Sequence, residues 1–237
     1  MINYFNLLLP PMSKLKKSRI LLLVLSFFFV TSGYAQDFSE TDYYEDEAHF
    51  GVRAQLDFNR SISESDLIQW GPGVSVGIAY YAPFGRMTYF NTGLLFSYNT
   101  FKLKGTGGTK YSPYHLNGHL SMPTLRLPMD LGVKFIDRKN LIVSVYTGPH
   151  LYFNFKLNAD YERKRSQSVE QIKEEMSSSG MEIGWGLGAA VDFKRRWHLQ
   201  FEGTVGLSHF GATHDLKIGH ECDFRRAELS LGLGYNF

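Results

Sequence analysis

Ser208 and His209 stand side by side, the residue types of a nucleophile and its base, and the nearby stretch THDLKIGHECDF (213–224) gathers His214, Asp215, His220, Glu221, Cys222 and Asp223. The first pair would suit acyl transfer, as in a lipid-modifying hydrolase. Neighbouring residues of a strand point to opposite faces, so this hydroxyl and imidazole cannot meet without a partner from elsewhere in the chain. The second group carries nitrogen, sulfur and oxygen ligands of the kind that hold a transition metal, with His214, His220 and Cys222 as the candidates. Their spacing matches no compact zinc motif, and a solvated loop accounts for them equally well. Neither constellation calls for a catalytic residue, a metal or a cofactor.

A third set of charged residues is spread out rather than crowded: Arg53, Asp57, Arg126, Asp130, Lys134, Glu182, Asp192, Glu202, Arg226 and Glu228. Each occupies the polar side of a stretch that alternates with the period of a β-strand. In HFGVRAQLDFN (49–59), Phe50, Val52, Ala54, Leu56 and Phe58 share one face, and Gly51, Arg53, Gln55, Asp57 and Asn59 share the other. The alternation recurs around 74–80, 90–98, 124–135, 141–155, 181–193, 197–209 and 227–237, which makes eight strands. Pro128 and Pro149, which cannot donate to a ladder, are expected to mark bulges.

Two features turn this pattern inside out. The polar face is crowded with glycine, including Gly132, Gly148, Gly184, Gly186, Gly188, Gly232 and Gly234, a poor choice for a strand facing water but a good one for a narrow lumen that must admit a few large side chains. The apolar face carries aromatic residues towards the strand ends, among them Trp185, Trp197, Tyr235 and Phe237, as interfacial girdles do. The connections alternate as well. Short ones (82–86, 136–140, 194–196) take turns with long polar ones (about 60–72, 102–114, 156–180 and 210–223), of which VEQIKEEM (169–176) could form a helical turn. The expectation is an all-β, eight-stranded antiparallel up-and-down transmembrane barrel with short periplasmic turns and long extracellular loops. Its lumen charges, Arg53, Asp57, Arg126, Asp130, Glu202, Arg226 and Glu228 foremost, should pair into a plug, because an unpaired buried charge is costly.

The N-terminal residues fit an exported protein. Lys14, Lys16, Lys17 and Arg19 precede the apolar run ILLLVLSFFFV and the small-residue site Gly33-Tyr34-Ala35, the order of a signal peptide over 1–35, with Met12 as an alternative start. The segment 36–47 is an acidic periplasmic leader and 48–237 the barrel domain. Loss of the four basic residues turns the formal charge of +2 slightly acidic, which speaks against a nucleic-acid surface. Cys222 is the single cysteine, so no intramolecular disulfide is available.

The stretches LRLPMDLGVKF, Gly148-Pro149, EIGWGLGAAVDF and the terminal LGLGYNF resemble the PorT-like outer-membrane β-barrel proteins of Bacteroidetes-type bacteria, with Gln55 standing where a second glycine of the first strand would be expected. The resemblance implies a link to type IX protein secretion or envelope assembly and brings no catalytic residues with it. The expected protein is therefore non-enzymatic, structural or accessory, seated in the bacterial outer membrane after signal cleavage. Its partners would be outer-membrane lipid, the barrel assembly machinery during insertion, and envelope or secretion-system proteins. A small channel and a lipid-modifying enzyme are the alternatives.

Overall fold

The computed structural model describes residues 47–62, 68–109, 112–165, 168–176, 180–208 and 225–237. The signal segment, the leader up to residue 46, His209 and the loop with His214, His220 and Cys222 lie outside the described residues.

Strict alternation produces strands throughout: β1 (His49–Ile62), β2 (Ile68–Gln69), β3 (Gly71–Pro83), β4 (Thr88–Thr109), β5 (Ser112–Arg138), β6 (Leu141–Asn154), β7 (Leu157–Arg165), β8 (Ser168–Met176), β9 (Met181–Phe193), β10 (Trp197–Gly206) and β11 (Arg225–Asn236). Eight of them close a ring in the order β1–β3–β4–β5–β6–β9–β10–β11, every neighbour antiparallel, and β11 returns to β1 from Gly51↔Asn236 to Ile62↔Arg225. The ring leaves none of its own strands with a free edge.

The faces are inverted relative to a water-soluble barrel. Along β1 the buried side chains are Arg53, Gln55, Asp57, Asn59 and Ser61, while Phe50, Val52, Leu56 and Phe58 are exposed. In β11, Arg226, Glu228 and Ser230 are buried and Leu229, Leu231 and Leu233 are exposed. A belt of Leu, Val and Phe around a polar interior is stable only if the surrounding solvent is lipid. At the short-turn end Trp197 packs edge-on to Tyr235, and Tyr235 to Phe237, with centroids 5.3 and 5.9 Å apart. These rings form part of the expected girdle.

Beyond the barrel at the long-loop end, the predicted loops 102–114 and 156–180 are largely sheet. β4 and β5 continue as one hairpin to Thr109↔Ser112, β2 adds to β4, β7 adds to β5, and β8 adds to β7. The helical turn expected over 169–176 is instead the strand β8, because pairing with β7 places Ile172 opposite Tyr161 on an apolar face and Glu170 opposite Arg163, 2.6 Å away. Tertiary pairing overrides the local helical preference. Inside this outer sheet Phe101, Leu103, Leu116, Leu120, Met122, Tyr161 and Ile172 form a dry cluster.

The transition between barrel and outer sheet needs no change of register. On β4 the inward residues pass from Ser97 and Asn99 to Phe101 and Leu103, and the outward ones from Phe96 and Tyr98 to Lys102 and Lys104. On β5 the inward series passes from Arg126 and Thr124 to Met122 and Leu120. Thr100 stands opposite Ser121 at the level of the exchange. Lipid-type patterning ends there and water-type patterning begins.

Neither proline makes a bulge. Thr92↔Met129 and Leu95↔Arg126 keep one register on the β4 side of Pro128, and Pro128↔His150 and Leu131↔Thr147 keep one register with β6. Pro149 pairs with Trp185 in an unbroken ladder to β9. Only the β4–β5 and β5–β6 ladders skip pairs beside the prolines, and Thr92 Oγ1 donates to Pro128 O at 2.7 Å to satisfy the carbonyl left over. The register shift that β5 does show falls between Lys134 and Ile136, near the short turn.

Candidate functional site

The inward face at mid-barrel converges on two arginines. Arg126, on β5, donates from Nη1 to Glu228 of β11 and from Nη2 to Gln55 of β1, and its Nη1 lies 3.5 Å from Glu202 Oε1 of β10. Arg226, on β11, lies 3.3 Å from Glu182 Oε2 through Nε and 3.6 Å from Glu228 Oε2 through Nη1, and its Nη2 donates to Asn154 Oδ1 at 2.9 Å. The Tyr152 ring supports its guanidinium, 4.5 Å from the centroid. Arg126 and Arg226 are 1% and 0% exposed, so their bonds cross the lumen and close it.

Asp130 and Glu202 flank an imidazole. His150 Nε2 is 3.1 Å from Asp130 Oδ1, and its Nδ1 is 3.7 Å from Glu202 Oε1. Tyr146 donates its hydroxyl to Glu202 Oε2 at 3.2 Å. Among the described residues Asp57 has no arginine partner: it accepts from the hydroxyls of Ser75 and, at 2.7 Å, Ser230. Glycines make this crowding feasible, since a Cβ on Gly186 would come within 2.6 Å of His150 Nε2 and one on Gly234 within 2.6 Å of Arg53 Cδ.

A second polar group lies nearer the short turns. Arg53 faces Asp192 there, and Asp192 Oδ1 is 2.8 Å from His198 Nδ1 and accepts from Asn236 Nδ2 at 3.2 Å. Lys134 Nζ lies 3.3 Å from Asp137, which also pairs with Arg195 at 2.9 Å. Arg53, Lys134, Tyr89, Tyr146 and His198 are among the walls of a cavity of about 30 Å³, room for about one water.

All seven charges expected to define the lumen are inward and buried, but they form one cluster only in part. Arg126, Asp130, Glu202, Arg226 and Glu228 belong to the mid-barrel network, Asp57 is served by serines, and Arg53 belongs to the mouth. Charge counting misses His150, Tyr146 and Gln55, although Gln55 lies on the polar face of 49–59 and Tyr146 and His150 flank Gly148 at period two on the polar face of 141–155. Gln55, a departure from the expected glycine, is a hydrogen-bond acceptor for Arg126. Ser208 accepts at its hydroxyl from the Ile183 N–H at 2.8 Å, just past the end of β10. Outside the lumen, the Glu170 carboxylate bonded to Arg163 holds that guanidinium above its ordinary value.

A closed antiparallel ring with a lipid-type exterior and a charged, packed interior defines a transmembrane β-barrel of the bacterial outer membrane. The chain belongs to the outer membrane protein beta-barrel domain family, whose model matches residues 34–211. Among solved structures it is similar to the attachment invasion locus protein Ail of Yersinia pestis in complex with the heparin analogue sucrose octasulfate, at 11% identity and a TM-score of 0.41, over 81% of this chain and 100% of that one. It is also similar to Neisserial surface protein A (14% identity, TM-score 0.40, 81% and 100% covered) and to OprG from Pseudomonas aeruginosa (9%, 0.39, 81% and 97%). No curated protein matches the sequence.

Proposed function

We propose that the protein is a non-enzymatic, non-conducting accessory barrel that holds its outer sheet above the membrane as a contact surface for another envelope protein. The observation carrying this reading is the arginine-carboxylate network: Arg126 and Arg226 fill the mid-lumen, so no water-wide path is left at their level. A transporting barrel has a reason to keep that space open, whereas a scaffold has a reason to fill it. The outer sheet supports the same reading, because a pore needs no dry core of its own beyond the membrane.

The likeness of LRLPMDLGVKF and the terminal LGLGYNF to PorT-like barrels makes protein secretion of type IX, or envelope assembly, the setting in which such a partner is sought. Lipid around the apolar belt and the barrel assembly machinery during insertion complete the expected partners, after export through a cleaved signal peptide. Gentle detergent extraction from the native membrane, cross-linking and identification of co-purifying proteins tests the proposal. A stoichiometric envelope partner lost on deletion of 157–176 is the expected result; isolation alone, with ion conductance in planar bilayers, overturns it. Altered lipid on overexpression would favour an enzyme instead.

A further inference from the structure

We propose that His150 and Glu202, with Asp130 behind the imidazole, form a lumen site for a divalent transition-metal ion of the zinc class, beyond the scaffold role. The three residues come from β6, β10 and β5, all are buried, and one ligand atom of each lies within 4.8 Å of the other two. The imidazole decides the arrangement. His150 Nε2 is paired with Asp130 Oδ1 at 3.1 Å, whereas Nδ1 is buried and makes no hydrogen bond. Its nearest acidic neighbour, Glu202 Oε1, stands 3.7 Å off, too far for a hydrogen bond. Two ligands of one tetrahedral ion, each at about 2.1 Å, stand roughly 3.4 Å apart, close to the spacing of this pair, although Glu202 Oε1 also accepts from Thr204 at 3.2 Å and lies 3.5 Å from Arg126 Nη1. Carboxylate, imidazole and metal in a row is how metal-binding histidines are oriented in general, the outer carboxylate fixing the tautomer.

Charge points the same way. Among the buried bases, Lys134 is engaged by Asp137 and Arg53 faces Asp192 at the mouth. Among the described residues, Arg126 and Arg226 then stand against five buried carboxylates, Asp57, Asp130, Glu182, Glu202 and Glu228. A dication relieves most of that excess, and excess buried charge of one sign is costly. Gly186 clears the ring's position, and Tyr146, bonded to Glu202, is also a wall of the cavity at the short-turn mouth.

The test uses tag-free, full-length mature protein with His214→Ala, His220→Ala and Cys222→Ser, so that these side chains cannot contribute, folded in detergent and stripped with chelator. Zinc is titrated by calorimetry and cobalt(II) by its d–d absorption. One equivalent per chain is expected, abolished by His150→Gln and weakened about 10–100-fold by Asp130→Asn. Absence of stoichiometric binding, or binding unchanged by His150→Gln, overturns the proposal. Should His150→Gln fail to fold, X-ray absorption of the zinc-loaded parent replaces it: one imidazole nitrogen with oxygen ligands supports the site, and an all-oxygen shell overturns it.

Discussion

Arg126 and Glu228 are joined across the barrel, not along its wall: β5 and β11 stand opposite each other in the eight-stranded ring, four strands apart in either direction. The bond therefore ties two walls that share no ladder. Removing Arg126 takes one cation from a buried network in which Glu228 keeps only Arg226, 3.6 Å away, and Glu202 loses its guanidinium, whereas removing Glu228 as well restores part of the charge balance.

Arg126→Met is accordingly expected to destabilise the folded barrel by about 3–5 kcal/mol in urea unfolding from lipid vesicles. Adding Glu228→Gln to it should recover part of that loss. Equal loss in the single and double variants would mean that the cross-lumen charge pairing contributes nothing beyond packing.

Leu231, exposed on the outer face of β11, should respond to charge as a lipid-facing residue does. Leu231→Arg is expected to cost about 2–4 kcal/mol if near the bilayer midplane. Lys102→Glu, outward on β4 beyond the exchange of polarity, should stay within about 0.5 kcal/mol. Similar tolerance at both positions would contradict the inverted assignment of faces.

Gly188 has no room for a side chain, since a Cβ there would fall on the Tyr146 ring. Gly188→Val should lose about 1–3 kcal/mol through overpacking, and Tyr146→Ala in the same chain should relieve it. The readout is the coupling energy between the two positions, with a value near zero as the disproof.

Leu116 and Tyr161 lie in the dry cluster of the outer sheet rather than in the lumen. Leu116→Ala is expected to cost about 2–5 kcal/mol within that sheet and to open the β7–β8 hairpin to protease. The barrel itself should keep its resistance to unfolding. Loss of barrel and hairpin together would show that they form a single cooperative unit.

The barrel was legible because period-2 alternation is a local property: Phe50 to Asn59 announces its two faces without knowledge of any neighbour, and the glycines opposite large residues tell which face is crowded. The outer sheet was not legible in the same way. SVEQIKEEM alternates poorly and is rich in helix-forming residues, and only its pairing with β7, Ile172 beside Tyr161, makes it a strand. Partner choice in the lumen was hidden for a similar reason. Asp57 and Asp130 are both inward carboxylates, but their depth along the axis, set by register, gives serines to one and an imidazole to the other.

The exchange of polarity at Thr100 and Ser121 also fixes how deep the molecule floats. Sliding the barrel inward by two residues, about 7 Å along a strand, would draw Lys102 and His119 towards hydrocarbon; sliding it outward would strand Phe96 and Leu125 in water. Both displacements are uphill, so the protein behaves as a float with a painted waterline. A bilayer of unsuitable thickness must then thin or thicken around this barrel instead of shifting it, and lipids of matching chain length should gather at its circumference.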